Sequence, residues 1–165
     1  MFSKNGNEEE ASMETNFDYA VLYKTFSRLF KDKLDLTMIE LSGNGKQPEA
    51  PFIAFDIISP RIPNNYLEDD AVFESVVSFT VYAKKKLQAL NLSNQMRLLL
   101  RSTASNKRFF ENNITLVEIM ATQPRYVEET NNYAYMYGFD VRLRLKETYV
   151  DEDKGIIEFI DYKEK

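Results

Sequence analysis

Two residue types that often carry covalent or metal chemistry are missing from this chain. The 165 residues include no cysteine and no histidine. This composition excludes thiol catalysis, disulfides, zinc ribbons and iron–sulfur ligation, and it removes the commonest general base and transition-metal ligand. A serine nucleophile would need a lysine or a carboxylate as its base, and the sequence positions no such pair. We therefore predict that the protein is not an enzyme and has no catalytic residues, no cofactor and no metal site.

Two patterns imitate ligand-binding motifs but lack essential residues. Gly43-Asn44-Gly45-Lys46 is similar to part of a phosphate loop, but Gln47 follows the lysine and the earlier glycine is missing. A plain turn is predicted there. The acidic runs at 69–70 and 151–153 offer oxygen ligands, yet they lack the alternating acids and central glycine of a calcium loop. Solvated loop acids are the better interpretation.

The clearest pattern in the sequence is an alternation between residues 133 and 149. Odd positions up to Leu145 are large and apolar or aromatic, whereas even positions from Asp140 to Lys146 are charged. Successive side chains of a strand point to opposite faces, so this pattern predicts a long strand with one buried and one wet side. The tyrosines at positions 133, 135 and 137 could stack on sugars or bases, but core packing explains them more simply.

The remaining elements follow from hydrophobic periodicity and from proline and glycine punctuation. Helices are predicted over residues 17–31, after an N-cap at Asn16, and within residues 84–103. Strands are predicted over 37–41, 52–59, 72–82 and 114–122, with a last extended piece at 156–160. Pro60 is predicted to end the second strand, and residues 61–70 are predicted to form an exposed loop. Phe109-Phe110 is expected in a loop that closes one end of the core.

Helices and strands in this order indicate an α+β fold. We predict a largely antiparallel sheet of about five to six strands, with two main amphipathic helices packed on one face. Residues 1–15 are expected to be a flexible polar extension, and residues 16–165 a single domain long enough to bury a core. Since no apolar run reaches the ~18 residues of a membrane span, no membrane partner is predicted.

The charge balance argues against a protein that clamps nucleic acid. The formal net charge is −5 and the pI is near 4.9, whereas phosphate binding depends on clustered lysine and arginine. Three basic patches interrupt this pattern, and solvated helix faces explain them best. A surface that docks an acidic neighbour is the alternative. The patches are Lys84-Lys85-Lys86, Arg97 with Arg101, and Lys107-Arg108.

Three segments together carry a family resemblance, and none of them is a catalytic signature. They are residues 51–63 (PFIAFDIISPRIP), residues 79–83 (FTVYA) with the leucine-rich helix up to Arg101, and residues 137–143 (YGFDVRL). In this order they resemble the neck or tail terminator proteins of long-tailed bacteriophages. The resemblance covers roughly residues 17–160.

The resemblance implies a structural role in the virion neck, after synthesis in the host cytoplasm. Such proteins have an α+β fold and form a six-membered ring on the head-proximal end of the tail tube. The ring stops tail polymerisation and joins the tail to the DNA-filled head. The implied partners are further copies of the chain, the tail tube protein and a head-completion protein. Genomic DNA would pass through the lumen without specific binding, and the acidic balance fits such a conduit.

A closed ring forms through heterologous contacts, so two different patches of one subunit must be complementary. We predict that the charged strand face and the acidic loop supply these patches, with Tyr66 as an exposed aromatic anchor. The residues of this predicted interface are Arg61, Tyr66, Glu68, Asp69, Asp70, Arg142, Arg144 and Lys146. Two alternatives stay open: another head–tail connector or completion protein of the same particle, and, more distantly, a cytoplasmic binding module or a small enzyme that uses only carboxylates and lysine.

Overall fold

The structure, a computed structural model, describes residues 17–41, 46–68, 71–125 and 135–147. These residues form three helices and six strands. The predictions for residues 1–15, the turn at 43–45 and the piece at 156–160 lie outside the described residues. In chain order the elements are α1 (Ala20–Leu34), β1 (Met38–Glu40), β2 (Phe52–Pro63), β3 (Val72–Ala83), α2 (Lys86–Leu100), α3 (Thr103–Glu111), β4 (Ile114–Ile119), β5 (Gln123–Pro124) and β6 (Tyr135–Lys146).

The six described strands form one mixed sheet. Their order is β1-β2-β3-β6-β4, and β5 pairs with β6 beside the path. β1 runs parallel to β2, whereas every other described pair is antiparallel. The predicted α+β class and the largely antiparallel sheet of five to six strands are therefore confirmed.

The core lies on one face of the two central strands, β3 and β6. Their register places Phe79 opposite Phe139 and Val77 opposite Val141, and all four side chains are fully buried. All three helices contribute to the same cluster, so they cover the same sheet face; among their residues in it are Phe26, Phe30, Met96, Leu100 and Phe109. Burying each such side chain contributes roughly 1.5–3 kcal/mol.

Helix α1 buries the stripe that its periodicity predicts, formed by Leu22, Phe26, Leu29 and Phe30. The helix begins at Ala20 and not at residue 17, and the Asp18 side chain just before it accepts a hydrogen bond from the Ala20 backbone N–H at 2.9 Å. The predicted cap, Asn16, lies outside the described residues.

The prediction that β2 ends before Pro60 is wrong, because the strand continues to Pro63. β1 pairs only with residues 53–55 of β2, so the later part of β2 has β3 on one side alone. A proline on such an edge removes no ladder hydrogen bond. Register shifts after Ile57 and after Ser59 bend the strand in this region, and Arg61 consequently lies in a strand and not in the predicted loop.

The expected loop at Phe109-Phe110 is helix α3. Ser102 begins it, since its hydroxyl accepts a hydrogen bond from the Ser105 backbone N–H at 3.2 Å. Phe109 fills the core as predicted, at 1% exposure, but Phe110 is 80% exposed. Helix α3 is only nine residues long and buries only two side chains. A hydrophobic pattern this short does not distinguish a helix from a loop in the sequence.

The N-cap at Ser102 explains why this short helix forms, and its contribution to stability can be tested. Ser102→Ala should lower the free energy of unfolding by about 1 kcal/mol, because it leaves a helix-terminal N–H without its partner. Urea unfolding measures the change. Thr103→Ala is the matched control, since Thr103 is exposed and provides no cap; an equal loss in both variants would contradict the capping role.

The predicted start of β6, Tyr133, lies outside the described residues. The strand begins at Tyr135, and Tyr135 is 47% exposed, so core packing does not account for this tyrosine. At this end β6 pairs with β3 through Ala83, whereas β4 reaches only residues 141–145. The predicted alternation of buried and wet positions is confirmed from Phe139 to Lys146.

Candidate assembly surfaces

The sheet face opposite the helices carries a set of paired charges. We call it the polar sheet face; it is defined by Glu74, Ser78, Asp140, Arg142 and Arg144. Glu74 lies opposite Arg144 in the β3–β6 register. The Glu74 Oε1 atom is 3.4 Å from Arg144 Nη2, and its Oε2 atom is 3.6 Å from Arg142 Nε. One carboxylate therefore faces two guanidinium groups.

Glu74 is more shielded from solvent than either arginine. Its side chain is 15% exposed, against 40% for Arg142 and 48% for Arg144. Glu74 Oε2 and Arg142 Nε have no hydrogen-bond partner within the described residues, since their separation is too long for a hydrogen bond. The two arginine charges offset the desolvation of the carboxylate.

Neutralising Glu74 should therefore destabilise the subunit. Glu74→Gln is expected to lower the free energy of unfolding by about 1 kcal/mol, because two neighbouring cations lose their common counter-charge. The loss should shrink in high salt, which screens the half-exposed arginines. Glu118→Gln is the control, as Glu118 is exposed and lies opposite Arg142 in the β4–β6 register; a salt-independent loss would contradict the electrostatic account.

A second charged contact crosses the same face at Gly138. Arg125 Nη2 is 2.7 Å from Asp140 Oδ1, and Arg125 Nη1 donates to Ser78 Oγ. The guanidinium lies across Gly138, where an added Cβ would be 2.8 Å from Arg125 Nε. Sequence reasoning missed Arg125, because nothing near Pro124 indicates a partner fifteen residues later. Glycine at this position leaves space for the arginine.

The β2–β3 connection presents the most exposed aromatic side chain in the described residues. Tyr66 is 99% exposed and the adjoining Leu67 is 74% exposed. Large exposed side chains at a loop tip are typical of protein–protein contacts. The exposure predicted for Tyr66 is confirmed, and its role as an anchor stays a prediction.

Arg61 holds the base of this connection to the end of β6. Its Nη2 is 2.6 Å from Glu147 Oε1 and its Nε is 3.5 Å from Glu68 Oε2. The guanidinium also lies 4.5 Å from the centre of the Phe73 ring. The hydrogen bond to Glu147 raises the pKa of the Arg61 guanidinium above its ordinary value. Arg61 thus acts within the subunit, and it fixes one acid of the predicted acidic loop.

The predicted interface residues accordingly fall into three groups. Arg142 and Arg144 share Glu74, and Arg61 pairs with Glu68. Tyr66 and Lys146 are exposed. The two acids at 69–70 lie outside the described residues. The pairing of the charged strand face with the acidic loop of a neighbouring subunit stays a prediction.

The described residues contain no group of acids that could hold a metal ion. A shallow surface groove of about 350 Å³ lies between α1 and α3, and Arg108 and Asp32 pair across it at 3.3 Å. In the part of the chain that the structure describes, no helix is both long enough and apolar enough to cross a membrane.

A compact α+β subunit with charged and aromatic surfaces fits the class of assembly proteins. A family model described as phage neck terminator protein matches residues 20–164, so this chain belongs to that family. No curated protein matches the sequence. The family match confirms the resemblance found in the sequence, and with it a structural place in the neck of a phage virion.

Proposed function

We propose that copies of this chain close into a ring at the head-proximal end of the phage tail tube. The ring terminates tail polymerisation and provides the surface to which the head binds. The observation that carries this proposal is the family match over residues 20–164. Six copies form the ring, and its partners are the tail tube protein and a head-completion protein. Genomic DNA passes through its lumen without specific binding.

The structure supports the proposal through the kind of surface that it presents. The helices cover one sheet face, and the opposite face carries charges that pair with one another within the described residues. At one end of the subunit, Tyr66 and Leu67 are exposed beside a connection that Arg61 braces from within. Because Arg61 already holds the connection in place, Tyr66 and Leu67 can insert into a neighbouring molecule without a rearrangement of the chain. This reduces the entropic cost of binding.

Purified tail tubes that lack the terminator provide the direct test of this activity. When the full-length protein is added, electron microscopy should show a ring on one end of each tube. Further tube subunits should then fail to lengthen that end. Rings on both ends, binding along the tube wall, or continued growth would contradict the proposal. Free monomer in solution would be compatible with it, because the tube end can template the ring.

The exposed tip makes a specific prediction for this assay. Tyr66→Ala should reduce capping at least about tenfold, since exposed aromatic anchors commonly contribute 2 kcal/mol or more to an interface. The variant should retain its stability, because Tyr66 contacts little within the subunit. Tyr135→Ala is the matched control, as this tyrosine is also exposed; equal capping by both variants would exclude the tip from the interface.

A further inference from the structure

The net charge of the whole chain is the sum of two parts with net charges of opposite sign. The described residues hold 17 Lys or Arg against 12 Asp or Glu, a net charge of +5. The remaining residues hold 4 against 14, a net charge of −10. The acidic balance that suggested a negatively charged conduit therefore does not belong to the described body. The described residues are basic, and the acidic charge belongs to the residues outside them.

The positive charge concentrates in the segment that contains helices α2 and α3. Residues 84–110 contain seven Lys or Arg and no Asp or Glu. Three of the seven have partners in the subunit: Lys84 pairs with Glu49, Arg108 pairs with Asp32, and Arg97 donates to the Met120 carbonyl. The other four are exposed and have no ion pair within the described residues; they are Lys85, Lys86, Arg101 and Lys107.

Large apolar side chains accompany these four cations. Leu87 is 71% exposed, Leu98 is 62% exposed and Phe110 is 80% exposed. Leu87 and Leu98 are eleven residues apart, which is about three helical turns, so they lie on one side of α2. That side is opposite the buried stripe of Ala89, Ser93, Met96 and Leu100. We call the four cations and three apolar residues together the basic helix surface.

One segment of this chain has the complementary composition. Residues 148–165, which lie outside the described residues, contain six Asp or Glu and three Lys. The same segment carries Ile156, Ile157, Phe159, Ile160 and Tyr162. The N-terminal segment 1–16 is also acidic, but it has few large apolar residues and precedes the family match. The C-terminal segment therefore fits both the charge and the apolar character of the basic helix surface.

The path of the chain places this segment within reach. β6 ends at Lys146, and Leu145 lies opposite Ile114, the third residue after the end of α3. The described chain thus ends near the turn between α3 and β4. Eighteen further residues can span roughly 60 Å when extended, whereas the 15-residue helix α2 is only about 22 Å long. A tethered segment also has a high effective concentration at its own subunit.

We propose that the C-terminal segment 148–165 docks on the basic helix surface of its own subunit. Its acids face Lys85, Lys86 and Arg101, and its apolar side chains cover Leu87 and Leu98. A nucleic-acid backbone fits the same cations, but it leaves the exposed leucines without an apolar partner. This inference concerns the free subunit, and it does not depend on the proposed ring.

Cysteine crosslinking in the full-length protein tests the proposal, since the chain has no cysteine of its own. The test pair is L98C with I157C, and the control pair is T115C with I157C. Thr115 is exposed and lies opposite Arg144, on the polar sheet face. It is also next to Ile114, close to the end of β6. A segment that samples all directions would therefore crosslink Thr115 at least as readily as Leu98.

The test pair should crosslink within one chain about tenfold more than the control pair. Reversing Lys85, Lys86 and Arg101 to Glu should reduce its yield to the control level. The same reversal at Lys24, Lys33 and Lys46, which are exposed elsewhere, should leave the yield unchanged.

Equal yields in both pairs, or crosslinks between two chains, would overturn the proposal. The proposal would also be overturned if the protein bound duplex DNA in a salt-sensitive way and the reversal of Lys85, Lys86 and Arg101 abolished that binding. Failure here would leave the tail-tube assay unaffected, so the two proposals can fail separately.

Discussion

Phe79→Ala is expected to lower the free energy of unfolding by about 4 kcal/mol, the largest loss we predict for a single substitution. Phe79 is fully buried at the centre of the sheet. Its ring centre lies 5.0 Å from that of Phe26, 5.3 Å from Phe30 and 5.5 Å from Phe55. The Phe139 ring follows at 6.0 Å. Truncation therefore removes aromatic contacts from α1, β2 and β6 at once and leaves a cavity between them.

Urea unfolding followed by circular dichroism measures this loss. The denaturant slope should stay constant, so that the shift in midpoint reports stability. Phe110→Ala is the control, because Phe110 is 80% exposed and its truncation should change stability by no more than about 0.5 kcal/mol. A loss below about 1 kcal/mol for Phe79→Ala would contradict the central place of this ring in the core.

Gly138→Ala is expected to cost about 2 kcal/mol or more, although alanine is the smallest possible addition. A Cβ at this position would lie 2.3 Å from the Phe79 carbonyl oxygen and 2.9 Å from Thr80 Oγ1. It would also approach Arg125 Nε at 2.8 Å. The contact with the backbone is the decisive one, because β3 cannot move away without disturbing its pairing with β6.

A double variant separates the backbone contact from the side-chain contact. In the Arg125→Ala background the guanidinium is gone, but the Phe79 carbonyl still opposes the new methyl group. Gly138→Ala should therefore remain destabilising by more than about 1 kcal/mol in that background. If the substitution becomes neutral there, the glycine serves only to admit Arg125, and our account of the strand contact is wrong.

The sequence predicts best where a periodic pattern is long and local. The alternation from Phe139 to Lys146 fixes both faces of β6, and the stripe of α1 is buried as its spacing requires. In both elements burial of a continuous apolar surface dominates the energetics, so the pattern alone suffices.

The errors lie where local signals and tertiary context disagree. Pro60 reads as a strand breaker, yet β2 passes through it because that part of the strand has a neighbour on one side only. Helix α3 is stabilised by the cap at Ser102 and by the burial of Phe109 against Phe26, whose ring centre is 5.3 Å away. Neither effect is visible in nine residues taken alone.

The candidate surfaces depend even more on contacts between distant parts of the chain. The alternating charges of β6 can be recognised in the sequence. The carboxylate that offsets Arg142 and Arg144, however, is that of Glu74, about seventy residues earlier. Arg125 meets Asp140 only because β5 and β6 pair at Gly138. The run from Gly138 to Asp140 belongs to the segment that carries the family resemblance. The structure gives these residues a physical role in packing and charge compensation.

Tail length in the absence of this protein tests the proposed function most directly. The parental phage would be produced with this reading frame interrupted early, and the particles examined by electron microscopy. We expect filled heads beside detached tails that are longer than normal, because the tube would neither stop growing nor join the head. The same frame supplied from a plasmid should restore normal particles. Tails of normal length that fail to attach would instead indicate a head-side connector, and intact infectious particles would contradict a structural role in the neck.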